Sequence, residues 1–168
     1  PAAIQFNTRK SVRQGQGGLS YEQSVGDAQT WRVMGYAGRR RVEQFLALPV
    51  AAQANPLSAG GVIDLDSEHD GADLRWSWRG ALASRPFEFT AGGNLDRQDQ
   101  ARRGYENFIG DTLGVKGRLR RNERNRVRNL DQFAQAWWQF APRWSVLAGA
   151  RHSRVEFSAL DYYVSAGN

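Results

Sequence analysis

No cysteine occurs in the 168 residues, which rules out disulfides, thiolate metal sites and cysteine nucleophiles together. Histidine is scarce too. His69 and His152 alone are too few for a His-based metal site, and no metal or other cofactor is expected. Lysine is limited to Lys10 and Lys116, so the 23 basic residues are almost all arginine. Nowhere do about 18 apolar residues run together, which excludes a membrane-spanning helix but says nothing of barrels, whose strands carry a weaker, alternating signal. The chain opens PAAIQF, with neither an initiator Met nor a charged-then-apolar leader, and reads as a processed chain or a piece of a longer one.

The size suits one domain. A net charge of +6 suits nucleic acid, anionic lipid headgroups or an acidic ligand, and does not choose among them.

Period-two alternation dominates, and helical periodicity is unconvincing throughout. Six strands are expected. The first spans about Gln14 to Val25 and the second about Thr30 to Leu46. The third, about Ile63 to Arg79, is the cleanest: Ala72, Leu74, Trp76 and Trp78 alternate with Asp73, Arg75, Ser77 and Arg79. Phe87 to about Gln98, Val127 to Phe140 and Trp144 to about Phe157 complete the set. Short connections (Gly26-Asp27, Gly80 to Pro86, Ala141 to Arg143) alternate with long ones (Pro49 to Gly60, about Asp99 to Arg126). Such segregation is expected when strands run up and down through a layer whose two sides differ.

The tryptophans sharpen this. Trp31, Trp76, Trp78, Trp138 and Trp144, with Phe87 and Phe140, stand beside the short connections on the apolar face; only Trp137 falls on the polar one. An indole with an apolar body and one N–H donor suits a boundary between hydrocarbon and water, so these residues read as a membrane-interface girdle. Alanine, glycine, leucine and valine beyond them would face acyl chains, while Asp73, Arg75, Arg79, Asp131 and Arg151 face a wet interior. The same stripe also suits the core of a soluble β domain; three hairpins agreeing in phase, loop length and aromatic level favour the membrane.

Other patterns carry less. Asp66 to Gly71 begins like a calcium loop, but the twelfth position is Ser77 where a bidentate Glu is required. Gly15 to Gly18 lacks the strand–turn–helix setting of a phosphate cradle. His152 reads as an interfacial polar residue, no Ser/His/Asp arrangement can be assembled, and no catalysis is inferred. KGRLRRNERNRVR, residues 116–128, and Arg39-Arg40-Arg41 are basic clusters suited to lipopolysaccharide phosphates or an anionic ligand. Nucleic acid is not the expected partner, because no aromatic platform adjoins the charge.

NLDQFAQAWWQFAPRWSVLAGARHSRVEF, residues 129–157, resembles the barrel strands of TonB-dependent outer-membrane receptors of the siderophore-receptor type, in Phe133-Ala134-Gln135, Trp144 and Ala148-Gly149-Ala150-Arg151-His152. Residues 19–41 and the GGVIDLD of 60–66 are similar to earlier hairpins of that family. The resemblance implies an all-β, antiparallel up-and-down transmembrane β-barrel segment, about six strands of a 22-stranded barrel, with residues 1–168 as partial barrel. It implies a bacterial outer-membrane receptor that imports a ferric siderophore or similar scarce nutrient, energised through TonB. The plug and the TonB-contacting segment would lie in an N-terminal region missing from these residues, and outer-membrane lipid and lipopolysaccharide would be further partners. Ligand candidates are Arg102, Arg103 and Tyr105 in the long loop, with Arg120 and Arg121 behind them. Alternatives are a passive porin-like channel and a soluble basic β protein binding nucleic acid. Six strands with two open edges are not expected to fold independently in water.

Overall fold

A computed structural model describes residues 2–162. A short helix α1 (Ala2–Gln5) precedes strands β1 (Arg9–Val25), β2 (Gln29–Phe45), β3 (Val62–Leu82), β4 (Arg85–Tyr105), β5 (Phe108–Ile109), β6 (Thr112–Leu113), β7 (Leu119–Ala141) and β8 (Trp144–Asp161), with a 3₁₀ turn at Val50–Gln53. Six strands form one antiparallel sheet in the order β1-β2-β3-β4-β7-β8, while β5 and β6 make a small hairpin of their own. The sheet does not close among the described residues, and β1 and β8 are its two edges.

All six expected strands form, but most are longer than their apolar alternation indicates. β1 begins at Arg9, β4 continues through Arg102 and Arg103 to Tyr105, and β7 starts at Leu119. The second long connection therefore shrinks from about 99–126 to 106–118. Beyond the apolar region both faces of the strands are polar, so the ladder continues without contrast between them. At the opposite end the connections are tight. Ala83 and Ser84 form a two-residue turn with φ of 54° and 62°, the mirror-image geometry that matches strand twist.

Strand register resolves the two faces. Trp31 pairs with Trp76, their rings 5.9 Å apart, and Trp76 and Trp78 pack against Phe89 and Phe87 at 5.8 Å each. Trp138 lies four positions below Ala134, which the ladder aligns with that first pair through Ala91, and Trp144 lies six below Ala150. A fall of six residues across four strand spacings, at ~3.3 Å per residue and ~4.8 Å per strand, gives a slant of about 45°. The aromatic row thus runs obliquely, as a level ring must around a barrel of tilted strands.

On the same face the first charged residues above that row are Arg39, Asp70, Arg97, Arg128 and Arg154, one per strand from β2 to β8, and they descend in the same direction. The intervening band is eight residues from Trp31 to Arg39 and from Trp78 to Asp70, and ten from Phe87 to Arg97 and from Trp144 to Arg154. Corrected for slant this is roughly 20 Å, close to the apolar belt of about 25 Å on outer-membrane barrels. Gln132 and His152, direct partners, are its polar exceptions between β7 and β8.

The buried core lies at the end away from the tight turns. Phe6, Val42, Phe45 and Val62 are buried there under the two long loops. Gln53, 1% exposed, donates to the carbonyl of Leu48 at 2.9 Å and to Asn107 Oδ1 at 2.6 Å, and its own Oε1 accepts from the backbone N–H groups of Gly61 and Asn107. Asn107 Nδ2 in turn donates to the carbonyls of Leu46 and Leu48. The two amides thereby bond each other and backbone groups of Leu46, Leu48, Gly61 and Asn107 in a site closed to water, where an unmade bond costs about 1–3 kcal/mol.

Candidate functional site: the polar face of the sheet

The face opposite the tryptophans carries Asp73, Arg75, Arg79, Asp131 and Arg151, because each is an odd number of ladder positions from the Trp31–Trp76 row. Arg151 donates to Asp131 Oδ2, whose side chain is 5% exposed, and Asn129 donates to the same oxygen. Arg79 pairs with Glu88 at 3.4 Å.

Three glycines shape this wall. Tyr36 of β2 reaches over Gly71 of β3 to donate a hydrogen bond to Asp96 of β4. Similarly, the Arg75 guanidinium lies over the Phe133 ring, 5.7 Å from its centre, with Gly92 between their strands. His69 meets Gln16 Oε1 at 3.3 Å across Gly38. A Cβ at Gly71 would lie 2.6 Å from Asp96 Oδ1, and one at Gly38 2.6 Å from His69 Nε2, so each bridge needs the missing side chain beneath it.

Higher on the same face the composition changes. A concavity of about 470 Å³ is lined by Lys10, Gln14, Arg40, Gln44, His69, Gln98, Gln100 and Arg102, with Val42, Ile63, Leu65 and Ser67 between them. Gln100 donates to Ser67 at 2.9 Å. No carboxylate lines the hollow, and Lys10, Arg40 and Arg102 make no ion pair or hydrogen bond among the described residues. Three uncompensated cations among amide donors form a wall suited to a large anion with several acceptor oxygens.

The five sequence-derived ligand candidates do not come together. Arg102 lies in this hollow, and Arg121, paired with Glu123 at 2.8 Å, is on the same face. Arg103 is one residue further along β4 and points to the opposite face, beside Arg39, Asp66 and Asp99. Arg120 is 6% exposed and anchors the loops, donating to Glu106 Oε1 and to the carbonyl of Asn55. Tyr105 is packed under Lys116, whose Nζ is 4.5 Å from the ring centre. All five were expected in or behind a loop, whereas they lie on β4 and β7. Lys10, Gln14, Arg40, Gln44, Gln98 and Gln100 were missed. Their signal was parity: they continue upward, at every second position, the face that Asp73 and Arg75 begin. The Arg39-Arg40-Arg41 block divides likewise, Arg40 facing the hollow while Arg39 and Arg41 both bond Asp66 on the other side.

At the loop end, burial raises the Glu106 carboxyl, but hydrogen bonds from Arg120 and Arg118 outweigh it and hold the group below the usual glutamate range. Lys116 likewise loses by burial and gains more from Asp64 and Glu43, so it stays charged above the usual lysine range.

A family model described as "TonB dependent receptor-like, beta-barrel" matches residues 2–167. Among solved structures, the unliganded ferric citrate transporter FecA is 12% identical, with a TM-score of 0.76 over 92% of this chain and 22% of that one. The ferric-catecholate import receptor Fiu from E. coli K12, in an open form, is 10% identical, with a TM-score of 0.68 over 96% of this chain and 28% of that one. The chain therefore spans less than a third of either, and at these identities the likeness is one of fold.

Proposed function

The chain belongs to the TonB-dependent receptor β-barrel family, and from that premise we propose that it is part of the wall of a bacterial outer-membrane receptor that binds and imports an anionic ferric chelate, energised through TonB. This family comprises transporters and receptors rather than enzymes. The aromatic row and the oblique apolar band support the membrane placement: the band approaches the height of the apolar belt on outer-membrane barrels and has the slant of barrel strands.

The observation that carries the ligand class is the hollow lined by Lys10, Arg40 and Arg102. It faces the interior, above the level where Asp131 neutralises Arg151, and its cations make no ion pair among the described residues. Arginine binds carboxylate-type oxygens in pairs, and glutamine amides donate to those that remain. The chelates named for the two similar structures, ferric citrate and ferric catecholate, agree with this class. TonB would act through a region outside these residues, and the plug would fill the barrel that this wall helps to enclose.

The test is uptake of a labelled ferric citrate or ferric catecholate by cells carrying the full-length receptor, with and without TonB. Uptake that requires TonB and falls on joint Arg40→Ala and Arg102→Ala replacement is expected. Equal uptake without TonB would make the protein a passive channel instead.

A further inference from the structure

The hollow above the Tyr36–Asp96 bridge is not polar throughout, and ladder register divides its floor into rows. Lys10, Gln44 and Ile63 are successive partners across β1, β2 and β3, as are Gln14, Arg40, Ser67 and Gln100 across β1 to β4. Between those two rows lies a third, Val12, Val42 and Leu65, which ends on β4 at Arg102. At ~4.8 Å per strand and ~3.3 Å per residue, this is an aliphatic strip roughly 10 Å long, with the hydrophilic rows roughly 7 Å to either side. Ile63 stands beside Leu65 on the same face of β3 and widens the strip there. Val42 is only 8% exposed, so Ile63 and Leu65, both half-buried, present the carbon that a ligand can reach. Attraction of an anion to Lys10, Arg40 and Arg102 makes no use of them.

We propose that Leu65 and Ile63 are specificity-determining residues of the hollow, selecting an anionic chelate built on aryl rings over one whose surface is hydrophilic throughout. The inference rests on the ligand reading given above and adds to it the kind of carbon the chelate carries. Apolar surface gains by leaving water in proportion to its area. An aryl ring laid on the strip takes its own face and the Leu65 and Ile63 side chains out of solvent together. Its edge oxygens then meet the cations at the margin, Arg102 at the end of the strip and Arg40 beside it. A hydrophilic anion held by the same cations covers the strip with groups that lose water and find no partner there, which offsets part of the charge attraction. The combination of an apolar floor with a few convergent polar groups is also the general build of a small-molecule site.

The experiment titrates the full-length receptor with two substitution-inert chromium(III) complexes, the tris-catecholate and the tris-oxalate, which are equal in charge and alike in ligand oxygens but differ in aryl carbon. The wild type is expected to bind the tris-catecholate about tenfold more tightly. Leu65→Asn, close in size but polar at its tip, is expected to remove that preference by weakening the tris-catecholate alone, and Leu65→Met to retain it. A wild type that binds neither complex, binds both equally or favours the oxalate would overturn the proposal, as would a Leu65→Asn variant that weakens both alike. Because the wild-type comparison needs no variant, a misfolded one does not rescue it. TonB-dependent uptake of a ferric chelate alongside any of those results would leave the receptor reading intact, whereas the expected preference with uptake that does not need TonB would sink that reading alone.

Discussion

Tyr36 and Asp96 are joined by a hydrogen bond that crosses an entire strand, passing over Gly71, which offers no side chain to obstruct it. The bond ties β2 to β4 directly, in addition to the backbone ladders that each makes with β3. A Cβ at Gly71 would sit 2.7 Å from the tyrosine ring as well as against the carboxylate. Gly71→Val should therefore cost about 1–3 kcal/mol, read as a lower temperature for the heat-induced mobility shift of the full-length receptor on SDS gels. Gly35→Ala, whose Cβ would have its nearest neighbour at 3.9 Å, is expected to leave that temperature unchanged.

Leu74 occupies the middle of the apolar band on β3, equidistant from Trp78 and Asp70, and Asp73 beside it lies on the opposite face of the sheet. Leu74→Arg should destabilise the folded receptor by about 2–4 kcal/mol, the cost of an arginine at the bilayer midplane. Asp73→Asn should be close to neutral. Folded yield in lipid vesicles measures both, and equal effects would contradict the assignment of faces.

Arg102 and Arg103 are sequence neighbours with opposite orientations, which makes them a matched pair for ligand binding. Arg102→Ala should weaken binding of a labelled ferric citrate or catecholate roughly tenfold, as expected for loss of one charge-assisted contact. Arg103→Ala should leave it unchanged. Equilibrium titration of the full-length receptor distinguishes them, and an effect of Arg103 alone would place the ligand elsewhere.

Glu106 links acidity to the loops. Its carboxyl is held below the usual range in the folded protein, so its contribution is fully present above the ordinary glutamate value and is lost as pH falls through the folded one. Loops 46–61 and 106–118 should accordingly exchange amide hydrogens faster at acidic pH, after correction for intrinsic exchange. Glu106→Gln should flatten that dependence, because a neutral amide has nothing to titrate.

Strand positions were legible where the two faces contrast. Ala72 to Arg79 alternates cleanly because an apolar face backs a polar one, and the tryptophans beside the short turns stand on the apolar face. That contrast disappears above the band. Arg102, Arg103 and residues 119–126 are polar on both sides, so a continuing ladder looks like a loop. The Gln53–Asn107 amide pair left no trace either, since two amide side chains 54 positions apart have no periodicity to betray them. Bridges over Gly38, Gly71 and Gly92 depend on register, which only paired strands define. Charge count placed an anion partner within reach but could not separate the unpaired cations of the hollow from those bonded to Asp66 and Asp99.

The oblique course of the aromatic row makes the hairpin the natural unit of growth for such a wall. The row falls six residues over the four strand spacings from β2 to β8, so a whole hairpin added or removed carries its own share of the slant and leaves the aromatic row continuous. Inserting two residues into a single strand would instead move one charge out of its row and leave its neighbours where they were. A change of length is thereby accommodated more readily in the connections at the far end than within a strand.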